Sequence, residues 1–296
     1  TTFSALAVDR SDVGSNEFTG GRVSILWQPT NELTINASYL NQKIEQDGFG
    51  QADLDLTGEW SQKRFEVRRD ETVNSGFDSE FLEDDIEITN LTIEYDLAWA
   101  SLLSSTSWTD EETKRINDIS AFFAPSFFPW SQRVRHSGSV FSEELRLVSE
   151  LNGSFQFLIG LYYEDKETGF DNIGLFGGSD ASLNSFSPGN ILLVKNSADR
   201  SLTQRALFGE FYYDITDQVK ITVGARAFKY ERENIRQSFA SAFSGDAITE
   251  VKGDESDISF KAGLEYVPSE SNLLYATWSE GFRLGYPVAA EILPAS

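Results

Sequence analysis

LFGEFYYDITDQVKITVGARA, residues 207–227, is the stretch on which the fold is decided. Leu207, Gly209, Phe211 and Tyr213 share one face, with Phe208, Glu210 and Tyr212 on the other. A polar turn follows at Asp214–Gln218, and then Val219, Ile221, Val223, Ala225 and Ala227 alternate with Lys220, Thr222, Gly224 and Arg226. Period-two alternation on both sides of a tight turn reads as an antiparallel hairpin with one apolar face.

Four more turns carry the same signature, at Pro29–Glu32, Asp96–Ala98, Glu150–Ser154 and Pro268–Asn272. Their flanks include Val23, Ile25 and Trp27; Leu91, Ile93 and Tyr95; Phe155, Phe157, Ile159, Leu161 and Tyr163; and Ile258, Phe260, Ala262, Leu264 and Tyr266. The return strand from Ala98 to Trp108 is ambiguous, since Ser and Leu fall on both of its faces. Much longer polar stretches separate the turns, at 43–80, 113–137, 166–202 and 232–254, and these read as long loops. Short turns on one rim and long connections on the other are the pattern of a transmembrane β-barrel. The expected fold is all-β, an antiparallel barrel segment of about ten strands in five hairpins.

A soluble sandwich also alternates. Aromatic placement separates the two. Trp27, Tyr95, Trp99, Phe155, Tyr213 and Tyr266 lie beside the turns, and Tyr39, Trp108, Phe141, Tyr163 and Trp278 lie near the far ends, as two interfacial girdles would. Phe155 to Tyr163, tilted at about 45°, spans roughly 20 Å, close to an outer-membrane apolar band. The polar faces carry Arg22, Glu94, Glu164, Lys220, Arg226, Lys261 and Glu265, which suit a wet lumen, although a sandwich could also place them on its outside.

The chain has 296 residues, begins Thr-Thr and contains neither Met nor Cys. It reads as an internal fragment, with no disulfide framework and no thiolate metal site. No apolar run approaches the ~20 residues of a membrane helix. Net charge is −23, from 47 acidic and 24 basic residues, which disfavours nucleic acid as a partner. The densest acidic run spans Asp78 to Glu87, and a second gathers Glu250, Asp254, Glu255 and Asp257; both read first as solvated surface.

Catalytic and metal motifs are lacking: His136 is the single histidine, read as a loop residue with no nucleophile pattern beside it. No catalytic residue, metal ligand or cofactor is expected, and the chain is read as a non-enzyme. The most unusual local sequence is Phe122-Phe-Ala-Pro-Ser-Phe-Phe-Pro-Trp130, followed by Arg133 and Arg135. Aromatic faces bind planar or sugar-like groups and arginine pairs with carboxylate or phosphate, so Phe127, Phe128, Trp130, Arg133 and Arg135 are the candidate ligand-binding residues. The alternative is that these rings pack on one another to hold a long loop to the rim.

Several stretches together resemble the barrel region of TonB-dependent receptors: Gly20-Gly-Arg-Val-Ser-Ile-Leu-Trp-Gln-Pro-Thr-Asn-Glu-Leu-Thr34, Phe141-Ser-Glu-Glu-Leu-Arg-Leu-Val-Ser149, Phe208-Gly-Glu-Phe-Tyr-Tyr-Asp-Ile-Thr-Asp217, Val223-Gly-Ala-Arg226 and Leu274-Tyr-Ala-Thr-Trp-Ser-Glu-Gly-Phe-Arg283. The resemblance implies a barrel of about 22 strands, with an N-terminal plug that this sequence does not contain. It implies residues 1–19 as the end of a loop, 20–283 as part of the barrel wall and 284–296 as the start of a further loop. It implies import of a scarce solute across the Gram-negative outer membrane, a ferric siderophore by family frequency. Further partners implied are TonB, ExbB and ExbD, acting through the plug, together with outer-membrane lipid and lipopolysaccharide. A passive porin or adhesive barrel and a secreted all-β carbohydrate-binding protein stand as alternatives.

Overall fold

The computed structural model describes residues 15–48, 53–54, 60–61, 67–68, 77–78, 81–118, 130–176, 191–239, 245–283 and 285. Ten long strands form one sheet: β1 (Asn16–Trp27), β2 (Leu33–Asp47), β7 (Phe81–Asp96), β8 (Ala100–Asp118), β9 (Trp130–Ser149), β10 (Phe155–Phe176), β11 (Ile191–Thr216), β12 (Val219–Ser238), β13 (Ala247–Ser269) and β14 (Asn272–Ser279). Each pairs antiparallel with its neighbour in that order. Between β2 and β7, β3 (Asp53–Leu54) pairs with β4 (Trp60–Ser61), and β5 (Val67–Arg68) pairs with β6 (Phe77–Asp78). The described residues contain no helix.

The five turns fall where the sequence puts them. In two of them a threonine hydroxyl closes the bend: Thr30 Oγ1 accepts from the Glu32 and Leu33 amides, both at 3.2 Å, and Thr216 Oγ1 accepts from Gln218 and Val219 at 3.2 and 3.1 Å. The turn before β10 bends at Gly153, whose φ of 127° lies in a region that L side chains rarely enter.

Register fixes the faces, because partners across a ladder share a side and alternate with their chain neighbours. One row runs Leu145, Leu161, Leu207, Ala227, Ile258 across β9 to β13. Its side chains lie open: Leu161 and Leu207 are each 53% exposed. Aromatic rings bound this apolar band at both ends. Trp108, Phe141 and Tyr163 step across β8 to β10 at 5.5 and 6.1 Å between centroids, and Phe155 stacks on Phe211 at 6.0 Å near the turns. The opposite face is the more buried one, with Tyr230 at 3%, Phe228 at 5% and Ala206 at 7% forming its small core. We call the apolar side the outer face and the polar side the inner face. A soluble domain would hide its leucines and expose its polar groups; this sheet does the reverse.

The strands outrun the sequence expectation. Much of 113–137, 166–202 and 232–254, expected as loop, is ladder: β8 reaches Asp118 and β9 starts at Trp130, β10 reaches Phe176 and β11 starts at Ile191, β12 reaches Ser238 and β13 starts at Ala247. His136, Arg133 and Arg135 are therefore strand residues, and Asn16 to Thr19 already belong to β1. The reason is that beyond the apolar band both faces meet water. Alternation vanishes while backbone pairing continues, supported by polar cross-strand contacts such as Thr203 to Asp165 at 3.2 Å and Lys252 to Glu233 at 2.9 Å. The ambiguous return strand resolves as β8, with Ser104 and Thr106 on the outer face, both donating to the Glu143 carboxylate.

Gly160 on β10 is covered by the ring of Phe208 across the ladder, and an added Cβ would lie inside that ring. We expect Gly160→Val to destabilise the sheet by about 1–3 kcal/mol. Adding Phe208→Ala should recover much of the loss, read as the thermal unfolding midpoint in detergent. No difference between G160V and wild type would show that the ring is free to leave.

Candidate functional site

Inner-face chemistry is layered along the strands. At the level of the apolar band, Lys261 on β13 donates to both carboxylate oxygens of Glu210 on β11, at 2.9 and 3.0 Å. The two are separated by β12, and Gly224 there leaves the gap that the glutamate crosses; a Cβ at Gly224 would sit 2.9 Å from Glu210 Cγ. Tyr212 donates to the same carboxylate at 2.9 Å. One layer up, the Arg226 guanidinium lies over the rings of Tyr162 and Phe208 at 5.3 and 5.6 Å, and Tyr162 donates to Glu164 at 2.6 Å. These charges are held by partners on the wall itself.

Higher still, the face turns aromatic and then basic. Phe282 stacks on Phe228 at 4.0 Å, bringing the segment after β14 back over β12. The Gly285 amide donates to the Tyr230 hydroxyl at 2.8 Å, and Arg232 donates to the Gly285 carbonyl at 2.7 Å. Above this stack lies a concavity of about 120 Å³ bounded by Lys166, Arg200 and Arg232. It shares Thr168 and Arg200 with a second hollow of about 290 Å³, lined by Glu111, Thr113, His136 and Phe170. The rings of His136 and Phe170 sit 4.9 Å apart. Cations beside aromatic faces in an open hollow can hold an anionic, partly aromatic solute. This is the candidate site.

A larger hollow, about 710 Å³, opens on the outer face above the apolar band, between Asp85, Glu87, Asp110, Glu112, Glu167 and Glu233. Size does not make it the site, because most of its lining projects away from the inner face. Among the described residues no three His, Asp or Glu converge so as to hold a metal.

The residues singled out from sequence do not come together here. Phe127 and Phe128 lie outside the described residues, and Trp130 opens β9. Arg133 and Arg135 sit on the outer face, where Arg135 is ion-paired to Glu112. His136, one residue on, faces inward. Lys166, Arg200, Arg232 and Phe170 were missed because they fall in segments read as loop. Counting by twos from Glu164 through Lys166 and Thr168 to Phe170 would have found that face.

The family model for TonB-dependent receptor-like β-barrels matches residues 41–294. No curated protein sequence matches the chain. Among solved structures, the ferric yersiniabactin uptake receptor FyuA from Yersinia pestis is similar at a TM-score of 0.66 and 10% identity, over 89% of this chain and 37% of that one. The siderophore receptor PiuA from Acinetobacter baumannii is similar at 0.59 and 14%, over 91% and 42%. The ferric citrate transporter FecA is similar at 0.57 and 12%, over 90% and 36%. The chain thus spans less than half the length of these structures, and at such identities the likeness is one of fold.

The outer-face pair gives a pH test. Hydrogen bonds from Lys114, and then Arg135, hold the Glu112 carboxyl below its ordinary value of 4.5. A lowered folded value means that the pair's stabilisation is complete above pH 4.5 and fades as pH falls through the lowered value. Glu112→Gln should therefore lower the thermal midpoint at pH 7 and lower it less at pH 3. An equal effect at both values would show that the pair contributes through packing alone.

Proposed function

We infer what this wall does from what it is: the chain belongs to the TonB-dependent receptor family, as part of its barrel region. The family is one of transport receptors. The protein is an outer-membrane active transporter that imports a scarce solute, and the cargo is a ferric siderophore of anionic character. The observation that carries the cargo reading is the gathering of Lys166, Arg200 and Arg232 on the inner face above the Tyr230, Phe228 and Phe282 rings. Anionic oxygens of a ferric chelate suit those cations, and its aromatic or alkyl frame suits the rings.

The sheet's own chemistry supports this sidedness. Above the band the outer carboxylates of Glu112 and Glu233 are paired to cations on their own face, Lys114, Arg135 and Lys252, while Lys166, Arg200 and Arg232 face inward. An anion that enters the inner hollow meets those inward cations. Trp130 lies on β9 with the inward-facing His136, and Phe127, Phe128 and Trp130 are kept as proposed ligand contacts. Arg133 and Arg135 belong to its outer wall. Coupling to TonB, ExbB and ExbD through a plug, and contact with outer-membrane lipid and lipopolysaccharide, complete the proposal.

Expression of the full-length protein in cells lacking other siderophore receptors tests it. Labelled ferric siderophore should enter only when TonB is present. The triple change K166A, R200A, R232A should weaken binding roughly tenfold or more, since each charged hydrogen bond is worth about 1.5–3 kcal/mol. Uptake that survives loss of TonB, or binding untouched by the triple change, would overturn the reading.

A further inference from the structure

The outer face carries a feature that solute import does not use. On β11 and β12 the apolar wall is hollowed, with a groove of about 570 Å³ floored by Gly209, Ala225 and Ala227. Ile159 on β10 and Phe260 on β13 stand in the same ladder row as Gly209 and Ala225 and form its two sides. Small residues between large ones make a channel along β12, over Ala225 and Ala227. Both walls are open, Ile159 at 41% and Phe260 at 51% exposure.

Arg205 and Lys229 stand in the row directly above Ala227 and two rows above Gly209 and Ala225, paired across the same two strands on the same face. Tyr163 pairs with Arg205 on the other side, and the guanidinium lies over its ring at 5.9 Å. Among the described residues Arg205 has no ion-pair partner, and Lys229 is bridged to Glu231 at 2.8 Å, one row higher. That higher row is acidic, with Asp165, Glu231 and Asp254. The row below is Leu161, Leu207, Ala227 and Ile258. Two cations thus lie side by side at one level, between an apolar groove and an anionic wall, with Tyr163 separating them from the Glu143 carboxylate, which accepts from Ser104 and Thr106.

We propose that this groove and its cationic lip are a binding site for a phosphate-bearing acyl lipid of the leaflet at the long-connection end. The phosphate sits between Arg205 and Lys229, and an acyl chain lies in the channel over Gly209, Ala225 and Ala227. A guanidinium binds phosphate oxygens through paired N–H groups, and lysine at a membrane border reaches to the headgroup level. The distance suits one molecule: from Arg205 to Gly209 is four residues, roughly 13 Å along the strand. Evenly packed wall would bind lipid without preference. The groove selects by shape, and the lip selects by charge. The proposal rests on the outer-membrane reading above, and it makes a phosphorylated acylated glycolipid of the lipid A type the fitting probe.

The test uses the full-length protein, purified in detergent and placed in phosphatidylcholine nanodiscs doped with diphosphoryl lipid A. Retained lipid A is counted by native mass spectrometry. Wild type should keep lipid A in preference to phosphatidylcholine. R205A/K229A should reduce retention at least fivefold. A225L/A227L, which fills the channel with side chains a lipid-facing wall tolerates, should do the same while leaving the lip intact. Thermal midpoints near wild type establish that both variants are folded. Unchanged retention in R205A/K229A overturns the proposal. Loss in R205A/K229A but not in A225L/A227L overturns the acyl half and leaves a phosphate-only lip, and displacement by millimolar inorganic phosphate overturns lipid as the ligand. TonB-dependent uptake is measured separately on the same variants. Lipid retention without uptake would count against the transport reading, while uptake without retention would count against the lipid site.

Discussion

A strand crossing hydrocarbon has no water to satisfy its backbone, so every amide and carbonyl must be paired by a neighbouring strand. That requirement organises the sheet described here. It explains why ten strands follow one another in chain order without a crossover, why each turn is short, and why the register between β9, β10, β11, β12 and β13 runs almost unbroken. It also explains where the two-residue pairs β3–β4 and β5–β6 occur. They lie in the β2–β7 connection, outside the continuous ladder.

Once the backbone is satisfied within the sheet, side chains are free to divide the chemistry between two faces. At the level of the apolar band the outer face takes the leucines, isoleucines and rings, and the inner face takes charges that its own neighbours hold. Glu210 is reached by Lys261 and Tyr212, and Arg226 lies on Tyr162 and Phe208. Buried charge without a partner would be costly, so these contacts are what allow a polar inner face. The face changes character only above the band, where basic residues gather beside rings. The candidate site and the groove share the strands β11 and β12, on opposite faces and at different heights along the ladder.

The hairpins were legible in sequence because a single physical demand, one face in an apolar medium, writes a period of two into the chain. Val219 to Ala227 is unmistakable on that ground. The demand ends at the aromatic rings near Tyr163. Past them, Lys166-Glu-Thr-Gly-Phe170 looks like loop because water wets both sides, although the ladder carries on to Phe176. The site lies in that stretch, so it was the part least readable. The aromatic segment from Phe122 to Trp130 drew attention by composition. Composition says nothing of sidedness, and Arg135 faces the outer wall while His136 beside it faces in. Parity carried through the polar stretch is the missing step.

The length of the unbroken ladder has a mechanical consequence. Between β9 and β10 no register shift occurs from Trp130 to Val148, and those recorded around β11 and β13 lie at strand ends, at Gly174/Leu175, Asp214/Thr216 and Tyr266/Ser269. Bulges are where sheets bend, and the middle of this one has none. The middle of the wall is thus a stave, continuous in its pairing, and the places where it can bend are confined to its two ends.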